Sequence, residues 1–282
     1  MAEPDGLSFK AYEIEELADV YFFRPCGMIL ARAARALRLT PTTVTLVGAV
    51  VGVVGGALLS SDRLALAGFA LIILYGILDS SDGQLARMTG RTTELGRFLD
   101  GAGGYLVHAA IYTAIAGHTL TQGASGSIVV WAVLAAAMTA VHAQLYDYHR
   151  TAYLRRAIQG VASAEGGPRI RVARLEAVLR AYESIQRRLA GSHPGVEAAI
   201  IARASGGIVR DEDRSRYRSC FYWPVRGWNL LGDNTRRYAI GVLACLHRLE
   251  YLFVFILIPM NVALVALWLW QARADRRFLA GL

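Results

Sequence analysis

The chain has 282 residues, 55% of them hydrophobic, and a formal net charge of +8. That apolar excess disfavours a soluble domain and favours an integral membrane protein. A basic balance suits either nucleic acid or anionic lipid, and the long apolar runs decide for lipid and against nucleic acid. Lys10 is the only lysine, so arginine carries the positive charge. Cys26, Cys220 and Cys245 are scattered, with neither a metal-ligand spacing nor an evident disulfide frame, and are predicted to be free, mostly buried thiols.

Residues 1–40 form an acidic arm followed by a basic stretch. The arm lacks the basic start and apolar core of a signal peptide. Pro25 is expected to break the aromatic run that precedes it. Residues 28–39 carry Arg32, Arg35 and Arg38 on a three-residue rhythm among apolar positions, which predicts an amphipathic helix lying at the membrane surface. Thr40 is the expected N-cap and Pro41 the first helical residue of the first span, 44–60. Gly48, Gly52 and Gly56 recur every four residues along it, a close-packing stripe read as serving this chain in preference to a dimer face. A short turn at 61–63 leads to a second span, 64–78, that runs into Asp79.

A third span is expected over 95–117, a polar uncharged loop over 118–127 and a fourth span over 128–145. Aromatic and basic residues at 146–156 mark an interface. An insertion follows, 157–228, with an amphipathic helix over 170–189 whose partner is lipid, the protein core or a second subunit. The mixed charges at 211–218 read as solvated. A fifth span ends near 246, and a sixth, 251–270, is kinked by Pro259.

The fold class is therefore an all-α integral membrane protein with six transmembrane helices, an N-terminal interfacial helix and an insertion between helices four and five. The expected domains are 1–40, an arm with the amphipathic helix; 41–149, spans one to four; 150–228, the cytosolic or interfacial insertion; and 229–282, spans five and six with a basic tail. The arginines fall on one side of such a bundle, and the loops at 61–63 and 118–127 hold almost none. The positive-inside rule then puts both termini and residues 79–97 in the cytoplasm.

The stretch 79–104 is the most informative. Asp79, Asp82 and Ala86 share one helix face, and Gly96, Asp100 and Gly104 share another. Two such helices joined by a short turn can aim Asp79, Asp82 and Asp100 at one spot. Clustered carboxylates beside a membrane are costly unless compensated, and all-oxygen ligation suits Mg²⁺ or Mn²⁺. A pair of such ions can clamp a phosphoryl transfer. Farther along, Asp233, Asn234, Arg236 and Arg237 open the fifth span on the same side as the acids. Arginine there suits a phosphate or polar headgroup, or serves only as a membrane anchor.

These residues resemble the CDP-alcohol phosphotransferase family, whose pattern is D-x2-D-G-x2-A-R-x8-G-x3-D-x3-D. The match runs through Asp79, Asp82, Gly83, Ala86, Arg87, Gly96 and Asp100, and fails at the last position, which is Gly104. The resemblance extends to Pro41, Val44 and Thr45 at the entry of the first span. It implies transfer of a phosphate-containing group from a CDP-linked donor, CDP-diacylglycerol or a CDP-alcohol, onto an acceptor alcohol, with release of CMP, as in phospholipid biosynthesis. Asp79, Asp82 and Asp100 would hold two metals on the donor diphosphate. Gly83 and Ala86 would clear room for cytidine beside Gly96, and Arg87 would meet phosphate.

The family's last aspartate is a metal neighbour and the proposed base, so Gly104 removes both roles. His108, one turn farther on the same face, is either a substitute base or a structural histidine. Asp233, Asn234, Arg236 and Arg237 are the candidate acceptor site. Partners are the CDP-linked donor, the acceptor, membrane lipids and, by resemblance, a second copy of the chain. The competing reading is a catalytically impaired relative that binds CDP-lipid or anionic lipid as a scaffold.

Overall fold

The computed structural model describes residues 12–91, 94–162 and 184–282, and of residues 94, 95, 97, 98 and 100 the backbone alone. Among these residues the fold is helical, with two isolated bridges, Val161 to Ile208 and Ser205 to Ile208, and no strand. The α-helices are α1 (Arg24–Ala36), α2 (Pro41–Leu58), α3 (Ala65–Thr89), α4 (Glu94–Thr121), α5 (Ser127–Tyr153), α6 (His193–Arg203), α7 (Asp211–Trp228), α8 (Asp233–Cys245), α9 (Tyr251–Leu257) and α10 (Pro259–Leu279). They fall into two compact units. The first comprises the described residues of Glu16–Thr139 and Asp233–Pro259; the second comprises those of Lys10–Glu15, Ala140–Gly232 and Met260–Leu282.

In the first unit α2 packs on α3 and α4, α1 and α8 pack on α3, and α9 packs on α8. Thr40 caps α2 as expected: its hydroxyl accepts from the Thr43 N–H at 3.1 Å. The glycine stripe of α2 is buried within the chain. A Cβ on Gly52 would lie 2.5 Å from Val107 Cγ2 and 2.9 Å from Tyr75 Cγ. One on Gly56 would lie 2.9 Å from the backbone nitrogen of Ile111. Absent side chains therefore let α3 and α4 approach α2 closely enough to share a site.

Pro25 does not break the chain where expected. A π-turn, Asp19–Phe23, runs directly into α1, and the Arg24 N–H bonds to the Asp19 carbonyl five residues back. The wider turn moves the backbone clear of the proline ring.

Among the described residues, four helical stretches are long and apolar enough to cross a membrane: Pro41–Leu58, Ala65–Thr89, Ser127–Gln159 and Tyr251–Leu279. The expected third span lies in α4, which has 28 residues but is outside this set. The expected fifth span is α8, whose 13 residues rise about 20 Å, short of a ~30 Å hydrocarbon layer. At the expected Pro259 kink the helix is interrupted at Ile258 alone, between α9 and α10, and the Ile258 N–H still bonds to the Val254 carbonyl at 2.9 Å.

The second unit has its own core, in which Tyr153, Val196, Ile200, Tyr217, Phe221, Val225 and Phe278 are buried together with Ile14. Within it His193 joins two helices: its Nδ1 lies 2.8 Å from Asp275 and its Nε2 lies 2.9 Å from the Tyr217 hydroxyl. A carboxylate accepts, so Nδ1 carries the proton and Nε2 accepts from the phenol. Tyr217 is wholly buried, and that burial pushes its phenol well above the ordinary tyrosine range. Most of the helix expected over 170–189 lies outside the described residues.

Residues 211–218 are less solvated than their charge suggests, since Asp213 is only 3% exposed. Burial works against the Asp213 charge, but Arg210 and Arg203 donate to it at 2.9 and 3.2 Å and hold its carboxyl below the ordinary range.

Three substitutions have expected outcomes. Gly56→Ala drives a Cβ against backbone that cannot yield, so the detergent-solubilised protein should lose about 1–3 kcal/mol, seen as a lower thermal midpoint. Gly117→Ala, whose Cβ meets nothing within 4 Å, should be neutral or slightly stabilising. Asp213→Asn should destabilise at neutral pH by about 1 kcal/mol. A carboxyl with a depressed folded-state value stabilises above its unfolded value near ~4 and loses that contribution as pH falls through the folded value. The gap between Asp213→Asn and the unaltered chain should therefore close in acid.

Candidate active site at the α3–α4 motif

As the shared face of Asp79, Asp82 and Ala86 requires, α3 continues beyond its apolar stretch. Residues 83–89 include the good helix formers Gln84, Leu85, Ala86, Arg87 and Met88, and the helix continues to Thr89. It stops at Gly90, whose φ of 64° is the left-handed cap that glycine adopts without strain. Asp79 and Asp82 therefore sit within a continuous helix, about one turn apart on one face.

Both carboxylates line a recess completed by Thr45, Gly48 and Ala49 of α2, Tyr75 of α3 and Gly103 of α4. Its volume is about 10 Å³, the space of one water or one bare cation and far less than a nucleotide needs. Asp82 is 6% exposed, and the Thr45 hydroxyl donates to its Oδ2 at 2.5 Å. A buried carboxylate is costly without such a donor. Arg87 lies close by: a Cβ on Gly83 would meet its Nη1 at 3.5 Å. Gly83, Ala86 and Gly96 are half-buried. The Asp100 side chain lies outside the described residues.

Among the described residues no three His, Cys, Asp or Glu side chains converge as a metal cluster. Asp79 and Asp82 nonetheless offer two hard oxygen donors on a recess of single-ion size, a donor set that fits Mg²⁺ or Mn²⁺.

Position 104 has a defined neighbour. A Cβ there would lie 3.6 Å from the Tyr75 hydroxyl, so the space beside Gly104 faces a phenol. His108 Nδ1 lies 2.9 Å from the Gly104 carbonyl, and its Nε2 lies 3.7 Å from Asp233 Oδ1 at the start of α8.

The four residues picked out at the start of α8 separate by environment. Asn234 is buried and donates to Glu16 at 2.8 Å and Asp19 at 3.2 Å, tying the N-terminal segment to α8. Arg236 is buried against Asp233 and the Thr139 carbonyl. Arg237 lies over the rings of Phe23 and Tyr75 and close enough to Asp79 to interact with its charge. Asp233, with its side chain 42% exposed, is the one open to an incoming molecule.

Two site residues escaped the reading of the sequence as functional. Thr45 stood only in the helix-entry pattern. Tyr75 lies four residues before Asp79 on the same face, a spacing that was present but looked like one more apolar position. Thr45→Val should leave the Asp82 carboxylate without its hydroxyl donor and lower stability by about 1–3 kcal/mol, measured by thermal unfolding in detergent.

The sequence profile of the family described as CDP-alcohol phosphatidyltransferase matches residues 38–179, about half of the chain and all of the 79–104 motif. A phosphatidylinositol phosphate synthase of Cutibacterium acnes (strain DSM 16379 / KPA171202) is 30% identical over 166 residues, covering 58% of this chain and 76% of that protein. No solved structure matches. Cys26, Cys220 and Cys245 are free, and against the expected burial Cys245 is exposed and the other two are half-buried. The helical architecture, the apolar spans, the motif at fixed spacing and these two matches agree, and the chain belongs to the CDP-alcohol phosphatidyltransferase family.

Proposed function

We propose that this chain transfers a phosphatidyl group from CDP-diacylglycerol to the hydroxyl of a phosphorylated alcohol, with release of CMP, in phospholipid synthesis. The observation that carries this reading is the shared recess: two carboxylates from one helix face, a buried threonine donor and glycine-lined walls, on a motif whose family performs such transfers. The relative's name supports an inositol phosphate as acceptor.

In this reading Asp79 and Asp82, with Asp100, hold one or two divalent ions. A bound ion of that kind neutralises charge on the donor diphosphate. Arg87, beside Gly83, meets phosphate by paired N–H donors, and Gly83, Ala86 and Gly96 leave room for the cytidine. Arg237 and Asp233 face the acceptor, Arg237 toward a phosphate and Asp233 toward a hydroxyl. Asn234 and Arg236 act behind them, holding α8 in register against its buried partners.

An even number of spans, with the site and both termini toward the cytoplasm, completes the proposal. Arginine placement supports that orientation, and a CDP-linked donor is available there. A homodimer is the proposed assembly.

The test is CMP release by the purified full chain from CDP-diacylglycerol and inositol phosphate, with Mg²⁺ or Mn²⁺. Turnover is expected with metal and should cease on chelation, and Asp79→Asn or Asp82→Asn should lower kcat by about 10²-fold or more. Gly104 favours one rival, a silent relative that binds CDP-lipid as a scaffold. Metal-dependent thermal stabilisation by CDP-diacylglycerol, without CMP release for any acceptor alcohol, would establish that rival.

A further inference from the structure

The transfer proposed above needs a group that takes the acceptor's proton, and position 104 cannot supply it. Tyr75 faces the vacated space, but a phenol near neutral pH is already protonated and donates instead of accepting a proton. The Thr45 hydroxyl is likewise a donor, bound to Asp82. Asp79 and Asp82 are assigned to metal in that reading. What stands next to Gly104 is an imidazole with a carboxylate beside it.

The geometry points to His108 as the group that takes the proton and Asp233 as the carboxylate that stabilises its charged form, together replacing the carboxylate that the family carries at position 104. This rests on the transferase reading above. A carbonyl only accepts, so the 2.9 Å contact between His108 Nδ1 and the Gly104 carbonyl fixes the proton on Nδ1 and leaves Nε2 as the basic nitrogen. The same bond folds the ring back toward Gly104, as helical side chains lean toward the preceding turn. Asp233 Oδ1, brought by a different helix, lies 3.7 Å from Nε2. That separation is too long for a direct hydrogen bond and short enough to stabilise an imidazolium. The glycine thus contributes twice. It opens the space for the acceptor, and its carbonyl sets the tautomer of the base.

The charged and titratable groups around His108 are Asp233, Arg236 and Arg237 from α8 and Tyr112 from its own helix, with ring centres 5.9 Å apart. Asp233 meets Arg236 at 3.5 Å and Arg237 at 3.8 Å, which spreads its charge and makes it a poor base. Its role is therefore to offset the positive charge that the proton brings to the imidazole. In the step itself the acceptor's O–H proton passes to Nε2 while the acceptor oxygen bonds to the lipid-bearing phosphorus. The bond from that phosphorus to the CMP oxygen breaks, and CMP leaves with the electron pair.

The experiment measures steady-state CMP release by the full chain from CDP-diacylglycerol and inositol phosphate with Mg²⁺, alongside thermal midpoints of every variant. His108→Gln should lower kcat by about 10²–10⁴-fold with KM for both substrates unchanged. Asp233→Asn should lower kcat by about 10–100-fold. Gly104→Asp, whose Cβ would meet the Tyr75 hydroxyl at an ordinary 3.6 Å, should restore at least about tenfold of the rate lost in His108→Gln, because it returns a carboxylate to the family position. Rescue by a carboxylate one turn away is a result that a merely structural histidine does not produce.

Unchanged kcat in His108→Gln overturns the inference while leaving the transferase reading intact. So does a folded Gly104→Asp/His108→Gln double variant that stays as slow as His108→Gln. Absence of CMP release from the unaltered chain removes the transferase reading and this inference with it.

Discussion

Two carboxylates one turn apart, where a long apolar helix turns polar, set the terms for everything around them. Asp79 and Asp82 belong to a helix long and apolar enough to cross a membrane, where an uncompensated charge is expensive. The surrounding helices answer that cost. Thr45 of α2 donates to Asp82, Arg87 lies one turn beyond, and Arg237 of α8 reaches toward Asp79. The recess they share is small because α2, α3 and α4 are held close by glycine, and glycine is needed because any larger residue at 52 or 56 meets a neighbour within 3 Å.

The same constraint explains the polar residues at the start of α8. That helix is too short to cross a membrane alone, yet it brings a run of charged and amide side chains up against α3 and α4. Asn234 and Arg236 are spent on anchoring it, through Glu16, Asp19 and the Thr139 carbonyl. Arg237 is sandwiched on aromatic rings, and Asp233 is left exposed beside His108. A buried charge with a partner is tolerable and one without is not, so the acid and the arginines at this end depend on one another.

The second unit shows that composition alone misjudges burial. Residues 211–218 read as a solvated charge run, yet Asp213 is buried between two arginines and Tyr217 closes onto His193 and Asp275. The insertion forms a core with the last helix and with Ile14 near the start of the chain, residues far apart in sequence. Hydrophobic periodicity registers which face of a helix is apolar, and says nothing about which distant segment covers it.

The amino-acid order by itself determined the helical class, the Thr40 cap, the inward-facing glycine stripe and the family motif from Asp79 to Gly104, because each is a local spacing or a fixed pattern. It misjudged the effect of Pro25, since a π-turn that no pattern announces carries the helix past it. Only the tertiary structure decided what stands beside Gly104. A missing side chain is filled by whichever helices pack against it, here Tyr75 from α3, with His108 of α4 and Asp233 of α8 meeting one turn away. That meeting joins residues 125 positions apart, a separation over which sequence carries no distance information.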